Sequence, residues 1–134
     1  LDLEPNLTWL KDTYPYFDYR LSDYDNPPED NFDLVICSDV IEHVIDPDQM
    51  IEFINSINFK HLVLSTPERK IIQHVQKQMG WDVQENGPPA NICHVREWTE
   101  EEFAEYVSQT FDIEEHYTTP IQVECQVVIA TKKK

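Results

Sequence analysis

Apolar and polar positions along this chain fall into blocks whose period switches between that of a helix and that of a strand. In LEPNLTWLKDTY, residues 3–14, Leu7 and Leu10 lie three apart behind Pro5, so a helix entered through its first turn is predicted. FDYRL at 17–21 reads as a short strand, and DYDNPPEDN at 23–31 as a polar, proline-bearing loop. FDLVIC at 32–37 is almost continuously apolar, which predicts a strand covered on both faces, as in a parallel sheet. Asp46 is placed to cap a helix, Pro47 suits its first position and Gln49 approximates a capping box. Met50, Ile54 and Ile57 then give that helix one buried face.

The second half continues the alternation. HLVLS at 61–65 predicts another buried strand, and Thr66 and Pro67 are expected to open a helix carrying Ile71, Ile72 and Val75, with Gly80 at its end. Residues 81–97 carry no periodic pattern, and an irregular segment of that length is either functional or disordered. Thr99 and Glu102 form a capping box ahead of Phe103, Tyr106 and Val107. FDIEEHY at 111–117 and IQVECQVVIAT at 121–131 predict two strands paired antiparallel through TTP at 118–120.

Strands alternating with helices predict a layered α/β fold with a mostly parallel sheet and an antiparallel pair at its C-terminal end. Ligands of such sheets bind beyond the carboxyl ends of the strands, which singles out DLEP at 2–5, SDVIEH at 38–43 and STPER at 65–69.

Those clusters carry a resemblance. FDLVICSDVIEHVIDP, then HLVLSTPER, then GPPANICHVREWTEEEF resemble successive regions of the class I S-adenosylmethionine-dependent methyltransferases, and the similarity runs over essentially the whole chain. The resemblance implies a three-layer, Rossmann-like methyltransferase fold. The family's first strand and glycine-rich loop have no counterpart, since Gly80 and Gly87 are the two glycines and both stand far downstream. Residues 1–134 are therefore expected to form a single methyltransferase-like domain truncated at its N-terminus, with the rest supplied by further sequence or by another chain.

By position, the resemblance implies that Asp2, or else Glu4, accepts hydrogen bonds from the cofactor ribose, a task suited to an acceptor-only carboxylate. It places Asp23 and Tyr24 at the adenine and Ser38 beside the methionine part of the cofactor. The plain structural alternatives are a helix cap for Asp2 and one more loop acid for Asp23.

If SDVIEHV opens a helix, Asp39, Glu42 and His43 converge at i, i+3 and i+4. Two carboxylates and an imidazole suit a divalent metal such as Mg²⁺ or Mn²⁺, with His94 from the long loop as a fourth ligand. This set resembles the small-RNA 3′-terminal 2′-O-methyltransferases, whose second histidine precedes a Glu-Trp-Thr sequence as in HVREWT, and the first element also resembles ubiquinone-pathway O-methyltransferases. Without metal, His43 or His94 is the candidate catalytic base, because imidazole titrates near neutrality. Either histidine also fits a structural bond to backbone. Arg69 is a candidate for holding an anionic substrate or a surface ion pair, and Trp98 for stacking on substrate or packing the start of its helix.

Composition narrows the acceptor. Twenty-six acids against ten bases give a net charge of −16, which opposes polyanions, so a sugar or other small polar metabolite is expected rather than nucleic acid. Three scattered cysteines without CxxC spacing fit a reducing cytoplasm, and no apolar run is long enough to span a membrane. An incomplete sheet would leave a strand edge open, which favours self-association into a homo-oligomer. The reading is thus an S-adenosylmethionine-dependent O-methyltransferase. The alternatives are an interaction module that has lost its cofactor, a metal-dependent enzyme methylating the 2′-hydroxyl at an RNA 3′ end, and a metal-dependent hydrolase built from the same acids and histidines.

Overall fold

The computed structural model describes residues 1–119 and 124–134. Its elements run in the order α1 (Asn6–Thr13), β1 (Asn31–Ser38), a single 3₁₀ turn (Ile41–His43), α2 (Pro47–Ser56), β2 (Asn58–Pro67), α3 (Arg69–Gln78), α4 (Glu100–Ser108), β3 (Phe111–Thr118) and β4 (Cys125–Lys132). The four strands form one sheet in the order β1-β2-β4-β3. β1 pairs parallel to β2, while β4 runs antiparallel to both β2 and β3, so three strands point one way and β4 is reversed.

Local chemistry explains where the helices begin. Asp46 accepts hydrogen bonds from the Asp48 and Gln49 amides with Pro47 in the first position, and Thr99 with Glu102 completes a reciprocal capping box on α4. α3 opens two residues later than its sequence suggests. Thr66 and Pro67 finish β2, and Glu68 caps the helix by accepting from the Ile71 amide. Its covered face also differs: Gln73 and Gln76 are buried while Ile71 is exposed. Gly80, with φ +81°, follows at the left-handed position that ends a helix.

The core gathers Ile41, Ile51, Phe53, Ile54, Leu62, Leu64, Trp98, Phe103, Val107, Phe111 and Val128 between the sheet and α2 and α4. Full burial of a side chain such as Phe103 or Leu64 contributes about 1.5–3 kcal/mol, and these contacts hold the carboxyl ends of β1 and β2 in register.

Three sequence expectations are corrected. FDYRL is not a strand, since only Leu21 makes a bridge, to Asp2. β1 is not covered on both faces: it is an edge strand, and Leu34 and Ile36 are 47% and 64% exposed. SDVIEHV does not open an α-helix, because only Ile41–His43 turn, in 3₁₀ geometry. The expected strand over 121–131 is present as β4 from Cys125, and residues 120–123 lie outside the described residues.

Candidate functional site

β1 ends at Ser38, and the chain reverses through Asp39, whose φ of +52° is left-handed, a conformation Asp tolerates better than most residues. The reversal turns the Asp39 carboxylate back onto the sheet. Its Oδ1 accepts from Ser65 Oγ at 3.2 Å and from Cys125 Sγ at 3.2 Å, and Ser38 Oγ reaches Oδ2 at 3.3 Å. Burial first, and then Asp39, push the Cys125 thiol up to about 12, so it acts as a neutral donor.

The 3₁₀ turn that follows drives Ile41 into the core and carries Glu42 inward to 1% exposure. Glu42 Oε2 accepts from Thr66 Oγ1 at 3.2 Å, and burial raises the Glu42 carboxyl above its ordinary range. His43 stays exposed at the mouth, its Nε2 3.7 Å from Glu42 Oε1.

The loop between α3 and α4 docks on this turn. Val95 donates its amide hydrogen to Glu42 O at 2.7 Å, and the Cys93 carbonyl meets His43 Nδ1 at 2.8 Å. His94 is thereby brought against His43, ring centroids 4.9 Å apart and nearly perpendicular. Glu42, His43 and His94 each offer one ligand atom, and these atoms lie within 4.8 Å of one another. Asp39 is not part of the group. The expected Asp39 ligand is lost because Asp39 lies ahead of the 3₁₀ turn in a left-handed conformation and its carboxylate is turned to Ser65 and Cys125.

Next to the turn lies a cavity of about 970 Å³ lined by Asp2, Asp23, Tyr24 and Ser38, the residues expected at the cofactor, together with Val35, Ile36 and Phe53. Val40 and Val44, which bracket the turn bearing Glu42 and His43, line it as well. Asp23 accepts from Asn26 Nδ2 and from the Asp25 amide, bonds that hold its carboxyl below the usual range. The Tyr24 ring packs on Phe53 with centroids 5.1 Å apart. Glu4 is used locally, accepting from the Thr8 hydroxyl.

Two candidates stand elsewhere. Arg69 Nη2 donates to the carbonyls of Glu85 and Gly87 at 3.2 and 2.7 Å, so the guanidinium fastens the long loop. Trp98 is 4% exposed, stacks on Tyr106, meets Phe103 and carries the Arg96 guanidinium 5.7 Å from its ring centroid. The substrate-stacking role is corrected, since the ring is buried in the core. Sequence reasoning missed Glu97 and Asn91, which bracket the His94 ring. The irregular loop offers no periodicity from which to place them.

No protein-family model and no curated protein matches the chain. Solved structures do. An S-adenosylmethionine-dependent methyltransferase from Mesorhizobium loti superimposes with a TM-score of 0.69 at 18% identity over 98% of this chain and 78% of its own. Magnesium protoporphyrin IX methyltransferase from Synechocystis PCC 6803, solved with bound SAH, gives 0.61 at 17% identity over 94% of this chain and 57% of its own. The chain has the class I methyltransferase fold. The Pnkp1/Rnl/Hen1 RNA repair complex also contains this fold, at a TM-score of 0.59 and 17% identity over 93% of this chain. The chain spans 57% and 28% of those last two proteins, and the fold is what it shares with them. No helix among the described residues is long and apolar enough to cross a membrane.

Proposed function

We propose that the protein transfers a methyl group from S-adenosylmethionine to a hydroxyl oxygen of a sugar or other small polar metabolite. The observation that carries this reading is the juxtaposition at one turn: Val40 and Val44 line the cavity that also holds Asp2, Asp23, Tyr24 and Ser38, and Glu42 and His43 of the Glu42–His43–His94 group lie between them in the chain. The fold is shared with methyltransferases, one of them holding SAH.

The reaction is an in-line displacement. The acceptor oxygen forms a bond to the methyl carbon as the sulfonium–carbon bond breaks, the electron pair stays on sulfur, and the hydroxyl proton passes to a base. Alignment and proton removal are the protein's share. Asp2 would hold the ribose hydroxyls, Asp23 and Tyr24 the adenine end, and Ser38 the methionine end. Without a metal, His43 has Nδ1 on a carbonyl and Nε2 left to receive the proton.

One carboxylate and two imidazoles form a mixed oxygen and nitrogen set, which fits Mn²⁺ better than Mg²⁺. Glu42, His43 and His94 would hold the ion, and when bound it would lower the pKa of an acceptor hydroxyl.

Calorimetric titration of the intact protein with S-adenosylhomocysteine tests the cofactor, and transfer of labelled methyl to a panel of polyols and to RNA 3′ ends tests the acceptor. Absence of cofactor binding would sink the catalytic reading. Labelling of RNA with none of the polyols labelled would replace the metabolite by an RNA terminus.

A further inference from the structure

Glu97 is 2% exposed and its Oε1 lies 2.8 Å from Nδ1 of His94, whose side chain is 7% exposed. Glu97 Oε2 has no hydrogen-bond partner among the described residues. A buried carboxylate costs stability unless paired, and an apolar side chain of similar volume would fill the same space without that cost. Packing alone therefore gives no reason for an acid here.

The hydrogen bonds around the ring give one. Asn91 Oδ1 accepts from the Cys93 amide at 3.0 Å, which orients the Asn91 side chain so that its NH₂ group faces His94 Nε2, also at 3.0 Å. Nε2 is then an acceptor, and the proton of the neutral ring sits on Nδ1, where the carboxylate of Glu97 receives it. His43 is set the same way, with Nδ1 on the Cys93 carbonyl. Both imidazoles spend Nδ1 on a protein acceptor, and the Nε2 lone pair of His94 is held by the Asn91 amide.

We propose that Glu97 is a positioning residue that, with Asn91 on the opposite nitrogen, fixes His94 in the Nδ1–H tautomer, so that Nε2 becomes its donor to the Glu42–His43–His94 group when an incoming ligand displaces the Asn91 NH₂. The proposal rests on the reading of that group as the methyl-transfer site. The carboxylate supports His94 whether Nε2 takes a cation or a proton, because in both cases positive charge develops on the ring.

The test reads the tautomer directly. Two-bond proton–nitrogen correlation spectra of the ¹⁵N-labelled protein at about pH 8, where imidazole is neutral, should show the Nδ1–H pattern for His94. Asn91→Ala leaves Glu97 alone to hold the ring and should keep the Nδ1–H pattern; adding Glu97→Leu should shift it several-fold toward Nε2–H, and in Glu97→Leu alone Mn²⁺ affinity, followed by relaxation enhancement, should fall about 10–100-fold. Glu97→Gln keeps an acceptor oxygen and should retain most of the Nδ1–H form. An Nε2–H pattern in the unmodified protein, or an unchanged pattern when Glu97→Leu is added to a folded Asn91→Ala variant, would overturn the proposal. Should the leucine variant fail to fold, the spectrum of the unmodified protein decides. A protein that shows the Nδ1–H tautomer yet binds neither Mn²⁺ nor S-adenosylhomocysteine would overturn the site reading while leaving the positioning of His94 intact.

Discussion

The Val95 amide donates to the Glu42 carbonyl at 2.7 Å, and this backbone bond joins the loop after α3 to the turn after β1. Arg96 N adds a longer contact to the same oxygen at 3.4 Å, and the Cys93 carbonyl meets His43. The two halves of the candidate site are thus assembled by main-chain groups, so their relative placement depends on loop docking as well as on side-chain identity.

Val95→Pro removes that donor while leaving the sheet and the helices untouched. The expected result is a weakening of Mn²⁺ binding by about tenfold or more, loss of the donor to the carbonyl of buried Glu42 being worth roughly 1–3 kcal/mol. Far-UV circular dichroism should be unchanged. Undiminished Mn²⁺ binding would show that His94 reaches the group without this bond.

Glu42 makes a pH prediction with a definite sign. Burial raises its carboxyl above the ordinary 4.5, so the folded protein binds the proton more tightly than the unfolded chain does. The stability tied to the protonated form is complete below that ordinary value and is lost as pH rises through the folded value. Glu42→Gln cannot lose it. Denaturant unfolding of the two proteins should show the variant gaining on the parent as pH climbs from about 4.5 to 7. Saturating Mn²⁺ should narrow the gap at pH 7 by stabilising the parent alone. A gap that does not change with pH would show that Glu42 is solvated.

Much of this arrangement is legible in the sequence, and the failures have a common cause. Capping residues announce α2 and α4 because Asp46 and Thr99 satisfy amides within their own first turns. The antiparallel β3–β4 pair is readable from its strand composition. Asp2, Asp23, Tyr24 and Ser38 were placed by resemblance, and the structure gathers them on one cavity. What could not be read depends on non-repeating dihedrals. The left-handed Asp39 sends its carboxylate to Ser65 and Cys125, and nothing in SDVIEH distinguishes a 3₁₀ turn from the start of an α-helix. Glu97 and Asn91 find His94 through a loop fold that no periodicity encodes.

Asp39→Asn tests that correction. Asn also tolerates the left-handed conformation and keeps an oxygen for Ser65, so Mn²⁺ affinity should stay within about twofold. His43→Ala and His94→Ala should each cost about tenfold or more, as expected when a ligand is removed from a small set. A loss in Asp39→Asn equal to theirs would return Asp39 to the ligand group.

Asp2 carries the last prediction. It sits in a parallel bridge to Leu21, donating its amide to Arg20 O and accepting Ser22 N at its carbonyl, so its backbone is fixed independently of its side chain. Among the described residues the carboxylate accepts only the adjacent Leu3 amide, at 2.7 Å, and it lies on the cavity wall. Nothing in the fold requires its charge. If it receives two ribose hydroxyls, Asp2→Asn replaces two charge-assisted bonds by one neutral acceptor and one mismatched donor, a loss of roughly 1.5–3 kcal/mol. S-adenosylhomocysteine should then bind about ten- to a hundredfold more weakly by calorimetry, with the unfolding midpoint in the absence of ligand shifted little. Ser22, which neighbours the same wall, provides the control: Ser22→Ala should leave affinity nearly unchanged. Equal effects of the two substitutions would mean that the cavity takes its ligand in another orientation, with the ribose away from Asp2.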